Sequence, residues 1–393
     1  PSVLTYEGPI TIDANTRIVA RGFDRARQEW TGVATGTYVV GLPTLAITEL
    51  NYNPHDPTPA ELAQNEELNN DDFEFIEVKN VGGESVNLLG SYFDGIEFTF
   101  GDVSLAPGEL GVVVKDQAAF ELRYGDQVRV LGEYFGGSLN NNGEQVRLFD
   151  VVDNELVDLT YNDNSLWPQR ADGRGGTLQL INPEFTPGLD YSKFYYWEGS
   201  TEFGGSPGAV GAEEIGVFVN EVLARTDAPG IDASDSIELV NLSGDPIDIS
   251  GWYLSDSAGQ YTKFQVPANT ILPVDGYIVF DESDFNADPE NPNSFALSGT
   301  NGDDVWVTIA GENGEVTSFV DDVQFRASLA GESLGRVPNG VGLLTPLTDL
   351  SLGAVNGDPR VGPVVISEIN YNPSEPSAEA LAVDPNLDSA DLE

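Results

Sequence analysis

Cysteine and methionine are absent from the 393 residues of this chain. Disulfides, thiolate nucleophiles and cysteine-based metal sites are thereby excluded. Histidine is nearly absent: His55 is the only one. A Ser-His-Asp triad or a histidine-bound zinc needs a positioned imidazole, whereas His55 lies in Asn53-Pro54-His55-Asp56-Pro57 and reads as a solvated loop residue. Positive charge is scarce, with 17 lysines and arginines against 65 acidic residues and a formal net charge of −48. Nucleic acid and anionic lipid both need a basic surface, so neither is expected as a partner. No signal peptide and no apolar run of the ~18 residues that a membrane helix needs is present, so no membrane insertion is expected of this segment.

What is present describes a folded chain with an acidic surface. Hydrophobic residues make up 40% of it, with 14 Tyr and 19 Phe, too many for a disordered acidic tail. Self-repulsion of this size favours a salty medium or bound cations. With 43 Gly and 24 Pro, little room is left for helices. Turn signals such as Pro107-Gly108, Asn142-Gly143, Asp172-Gly173, Asn301-Gly302 and Asn339-Gly340 punctuate short runs such as Gly111-Val112-Val113-Val114 and Tyr277-Ile278-Val279-Phe280. That pattern predicts an all-β sandwich. Helix is expected only at Gln117–Tyr124 and in the stretch 59–67.

The chain also repeats itself. Residues 47–74 align without a gap onto 366–393, with 12 of 28 positions identical. A more divergent copy lies between: Glu49 matches Glu221, IEVKN at 76–80 matches IELVN at 237–241, LLGSYF at 88–93 matches ISGWYL at 249–254, and the closing SPGA at 206–209 matches LGA at 352–354. Arg170 with its following turn is matched approximately to Arg336 with Asn339-Gly340. A site present in every copy of a repeat is more often structural than catalytic.

Together these motifs resemble the lamin tail domain. The resemblance implies tandem immunoglobulin-like β-sandwiches and a non-catalytic role. Within 1–42, YEGPITI, TRIVARGF and ATGTYVV resemble the end of a fibronectin-like chitobiase/β-hexosaminidase C-terminal domain. The expected organisation is therefore the end of a β-domain at 1–42, sandwiches at 43–210 and 211–361, and the opening of a third at 362–393.

Three sets of residues invite a chemical reading. Glu49 with Glu77, repeated as Glu221 with Glu238, could supply the two carboxylates of glycoside hydrolysis; their duplication in divergent copies argues against it, and no enzyme activity is expected. The same glutamates with Asn51, Asp71, Asp72, Asp232 and Asp235 are candidate calcium ligands, because hard divalent cations take carboxylate and amide oxygens from loops. The plainer alternative is a solvated acidic rim with turn-capping roles. Tyr195, Tyr196 and Trp197, in the run Phe194-Tyr195-Tyr196-Trp197, are candidates for a glycan platform or an interface, about half of them core. Arg170 and Arg336 read as buried structural arginines.

The expected function is that of an internal segment of a large extracellular or cell-surface protein of bacterial type. It would be a spacer, adhesive or filament-forming unit stabilised by divalent cations, contacting neighbouring modules or copies of itself. The alternative is an ancillary module of a secreted hydrolase, touching polysaccharide.

Overall fold

The computed structural model describes residues 5, 8–11, 16–26, 28–31, 34–38, 44–134, 136–182, 191–227, 233–362, 370–371 and 373–392. It is an all-β fold of tandem immunoglobulin-like sandwiches. The first has a six-stranded sheet in the spatial order Val130–Glu133, Leu110–Val114, Phe75–Asn80, Leu45–Asn51, Leu178–Leu180, Trp197–Gly199. A four-stranded sheet faces it, in the order Glu155–Thr160, Gln145–Phe149, Tyr92–Asp94, Phe98–Thr99.

The second sandwich repeats this order strand for strand. Its larger sheet runs Tyr277–Asp281, Ser236–Asn241, Val217–Leu223, Leu334–Val337, Leu343–Pro346, and its smaller one Val316–Arg326, Gly302–Ala310, Tyr253–Ser255, Phe264–Gln265. Among the described strands of these sheets only Val130–Glu133 has no counterpart; it lies parallel to Leu110–Val114, after the predicted helix Gln117–Tyr124. That helix is capped by Asp116, whose side chain accepts from Ala119 N, and it ends at Gly125 with φ 81°.

Period-two alternation sends one face of each strand inward. In the first core Ile47, Leu50, Ile76, Phe93 and Leu148 meet; in the second Val219, Ile237, Leu254, Val307 and Phe280 do. Yet Phe75–Asn80 and Ser236–Asn241 are buried at every position, polar residues included. Their other face is covered too: the closing segment of each module reaches Glu77 or Glu238, and in the first sandwich the helix residues Phe120 and Tyr124 cover Phe75.

In the stretch 59–67 only Pro59–Leu62 is helical, held by a capping box between Thr58 and Glu61. Glu61 then receives Arg123 of the longer helix (Nε to Oε1 2.9 Å), whose guanidinium lies 3.3 Å from the Phe73 ring centroid. This pins the short helix Pro59–Leu62 to the sandwich. The third copy repeats these local devices, with a helix Ala378–Val383 capped by Ser377 and a turn Ser389–Leu392; its predicted opening strand at 366–369 lies outside the described residues. In 1–42, Thr16–Ala20 pairs antiparallel with Ala34–Tyr38, while residues 12–15 and 39–43 lie outside the described residues. Among the described residues no helix is long and apolar enough to cross a membrane.

The two sandwiches meet at a built joint. Phe319 N donates to Thr201 O (2.7 Å) and Phe203 N to Thr317 O (3.0 Å), so 201–203 adds as a short strand to the edge of Val316–Arg326. Phe203 rests against Phe319 and Tyr261 at 5.7 and 6.2 Å between centroids, beside buried Trp306. Arg170 of the first sandwich reaches Asp322 of the second (Nε to Oδ1 2.8 Å), with both side chains largely buried. The joint thus combines edge pairing, aromatic packing and a shielded ion pair.

The separate cores lead to a test. Leu148 is fully buried in the first core, so Leu148→Ala should destabilise by about 2–5 kcal/mol. Calorimetry should show the loss in the unfolding of the first sandwich, with the core of the second retaining its own transition.

Candidate functional site: a paired glutamate clasp

The opening strand of each sandwich carries a bulge just before its glutamate, between Ile47 and Glu49 and again between Val219 and Glu221. A bulge places an extra residue on one strand and re-aims the side chains around it. Glu49 thereby sits directly opposite Glu77, and Glu221 opposite Glu238. The extra residue serves the second glutamate: Thr48 Oγ1 donates to Glu77 (2.6 Å) and Asn220 Nδ2 to Glu238 (2.7 Å).

The closing segment supplies the other donors together with Thr177 or Ser333, each just before the strand that follows it. Ser206 N and Thr177 Oγ1 donate to Glu49 Oε1 at 2.9 and 2.6 Å, Ser206 Oγ donates to Oε2 at 3.3 Å, and Gly208 N donates to Glu77 at 2.6 Å. In the second sandwich Ser351 N and Ser333 Oγ donate to Glu221 Oε1 at 3.1 and 2.5 Å, Ser351 Oγ donates to Oε2 at 2.8 Å, and Gly353 N donates to Glu238. The SPGA and SLGA turns are therefore held by the same contacts. Gly208 and Gly353 adopt φ of 82° and 86°, a left-handed conformation that glycine takes without strain, and this aims their N–H groups at the carboxylates. The approach is close: a Cβ on Gly205 would fall 2.1 Å from Glu49 Oε1.

These carboxylates are almost completely buried. Burial, and then the facing charge of Glu77, push Glu49 up to about 8 against the donors from Thr177 and Ser206. Burial likewise raises Glu77, and it pushes Glu238 up to about 7. Raised values in a cleft often mark catalytic acids. Glu49 and Glu77 also line a cavity of about 250 Å³, with Thr48, Lys79, Gln179 and Val210. The pair itself, however, is engaged by donors of its own module, and in the same way twice. Chemically the arrangement is an acceptor site for backbone and hydroxyl donors.

The remaining predicted residues do not converge on these pairs. Asn51 is buried on the opening strand and donates to Tyr124 Oη at 3.3 Å. Asp72 caps a turn, accepting from Asn69 N at 2.9 Å, and Asp71 belongs to the same turn. Asp235 accepts from Thr226 Oγ1 (2.7 Å) and Leu297 N (3.0 Å), anchoring a loop; Asp232 lies outside the described residues. Among the described residues no three His, Asp or Glu side chains are arranged to hold a metal ion.

The aromatic run is a turn, Phe194–Tyr196, followed by the strand Trp197–Gly199. Trp197 is core, its Nε1 donating to Tyr191 O at 2.8 Å, Tyr196 packs half-buried against the same core, and Tyr195 is exposed. His55 is half-buried with its ring 4.8 Å from that of Phe203, so it belongs to the joint and not to a free loop. Arg336 is not the counterpart of Arg170. Leu178 and Leu334 hold equivalent places against the opening strands, which sets Arg336 level with Leu180. Each arginine bonds carbonyls and an aspartate as expected, but Arg336 holds Asp321 within its own sandwich. Ser351 is missed by the sequence match of SPGA with Leu352-Gly353-Ala354; a serine two residues before the glycine in both turns, Ser206 and Ser351, is the available signal.

A sequence model of the Lamin Tail Domain matches residues 212–326, the opening strand through the long hairpin of the second sandwich. Comparisons with curated proteins and with solved structures give no match. The matched domain is an immunoglobulin-like β-sandwich, as is the fold found there, and the chain carries a module consistent with a non-catalytic structural role.

The raised carboxylates set a pH dependence. Folded Glu49 keeps its proton to about pH 8, while an ordinary glutamate near 4.5 has released it. The folded state thus binds the extra proton, so this contribution is complete below pH 4.5 and is lost as pH rises through 8. Denaturation of the first sandwich should become easier between about pH 5 and pH 8.5, and Glu49→Gln should flatten that slope. An unchanged slope in the variant would show that Glu49 is not the group responsible.

Proposed function

We propose that this chain is a structural segment of a large extracellular or cell-surface protein, in which tandem lamin-tail-type sandwiches act as a stiff spacer. The observation that carries this reading is the joint. A linker alone would leave the sandwiches free to swing, since interfaces between domains are usually mobile unless large and apolar. Here one continuous segment, 199–213, closes the first sandwich at Glu49 and Glu77 and adds a strand to the second at 317–319. The same residues fix the module and its neighbour, so orientation follows from closure.

Recurrence of the clasp supports a role in shape. Donors of the module itself occupy both oxygens of Glu49 and of Glu221, and a module that must close identically in successive copies uses them in this way. The acidic surface suits a segment that stays soluble at high local concentration, with divalent cations screening its charge. Adhesive or filament-forming behaviour belongs to the same reading, because a stiff repeat transmits spacing.

Small-angle scattering tests stiffness directly. The wild-type chain should fit one fixed arrangement of the two sandwiches, whereas Phe203→Ser with Arg170→Ala should increase the maximum dimension and give a flexible-linker profile. Phe203 is half-buried, so a loss of about 1–3 kcal/mol is expected for it. A wild-type profile already as flexible as that of the variant would refute the spacer.

A further inference from the structure

The joint has a counterpart at the far end of the second sandwich. Ser200 N donates to Thr177 O and Leu347 N to Ser333 O, both at 3.0 Å, which places Ser200 and Leu347 at the same point of the fold. Thr201 and Glu202 then correspond to Thr348 and Asp349, and Phe203 to Leu350, the last apolar residue before the clasp serine. Phe203 is seated in an aromatic pocket, whereas Leu350 is 50% exposed beside Leu329 at 55%. Both line a cavity of about 430 Å³ with Glu332, Leu347 and Arg360. The backbone edge is filled from within: Thr348 N donates to Asp358 O (3.0 Å) and Arg360 N to Pro346 O (2.7 Å). What this tail offers a neighbour is apolar side chain without a strand edge.

A face that fits lies on the first sandwich. In the second, Phe203 is received by the outer face of the smaller sheet, where Trp306 and Thr308 stand opposite Ser255 and Tyr253. The same positions in the first are Arg147 and Phe149, opposite Asp94 and Tyr92. There Tyr92 and Phe149 stack at 5.3 Å, and Val151 and Val152 at the hairpin tip are 37% and 49% exposed. This hairpin turns at 150–154, and that of the second sandwich only at 311–314. The first type therefore has an apolar tip but lacks the extension that adds a strand at 201–203, which suits a tail whose edge is already filled. The order of copies agrees: after the second sandwich, 370–392 repeats the first type, with its helix and turn.

We infer that the tail of the second sandwich, at Leu329 and Leu350, docks on the Tyr92, Phe149, Val151 and Val152 face of the first sandwich in a second copy of this chain. The inference rests on the spacer reading and adds to it the contact by which spacers join. Such a contact uses two different surfaces and does not close on itself, so it builds open-ended chains. Mutual repulsion between acidic copies opposes it and is screened by salt.

Sedimentation at rising protein concentration in about 0.5 M salt, where repulsion is screened within a few ångströms, tests this. The wild type should grow in mass beyond a dimer. Leu350→Glu and Val152→Glu should each weaken association at least about tenfold with melting temperatures retained, a loss of about 1.4 kcal/mol at that fold-change. An equimolar mixture of the two variants should stop at dimers, because only one pair of intact surfaces remains. A wild type that stays monomeric overturns the inference, as does a mixture that fails to pair. Scattering from the monomer reads the internal joint separately, so failure of docking and failure of the spacer are told apart.

Discussion

Two carboxylates facing each other across adjacent strands repel, and burying them away from water costs several kcal/mol more unless donors reach them. Both sandwiches accept this constraint at Glu49 with Glu77 and at Glu221 with Glu238. Donors arrive from the opening bulge, from Thr177 or Ser333, and from the closing turn. Ser206 lies 157 residues from Glu49 in sequence, so the pair is satisfied only when the first and last parts of the module have come together. The clasp ties satisfaction of the pair to closure of the sandwich and covers Glu77 on the outer face of Phe75–Asn80, where Phe120 covers Phe75.

The joint inherits its geometry from that closure. Between the strand at Trp197–Gly199 and the clasp turn at 206–209 the chain has few residues in which to wander, and 201–203 is presented at a set height and angle. The long hairpin of the second sandwich meets it there. Edge pairing supplies register, the cluster of Phe203, Tyr261, Trp306 and Phe319 supplies apolar burial, and Arg170 with Asp322 supplies a charge pair shielded from salt. Three different kinds of contact thus join the two sandwiches at one place.

Much of this was legible in the residues. Turn dipeptides between β-branched runs gave the sandwiches, and helix formers between Asp116 and Gly125 gave the one long helix at its observed limits. The copies aligned wherever the physics was shared, as in LLGSYF with ISGWYL. The role of the glutamates was not legible, because a buried carboxylate looks the same in sequence whether it meets a metal, a substrate or a backbone N–H. Burial and donors are properties of the fold, and the donors lie far along the chain. Arg170 and Arg336 misled for a related reason: both precede glycine turns, but strand register, which sequence spacing does not report, sets them on different elements. The joint was invisible because Phe203 and His55 belong to no periodic pattern; only the meeting of two modules gives them a partner.

The claim on which the rest depends is that the closing turns are locked onto buried glutamates. Native-state hydrogen exchange at the amides of Ser206, Gly208, Ser351 and Gly353 measures this residue by residue. Gly208 and Gly353 lie in turns that are largely exposed, and such amides ordinarily exchange through local fraying. The account predicts protection close to that of the central strands at all four, and contradiction would be fast, loop-like exchange there while the strands remain protected.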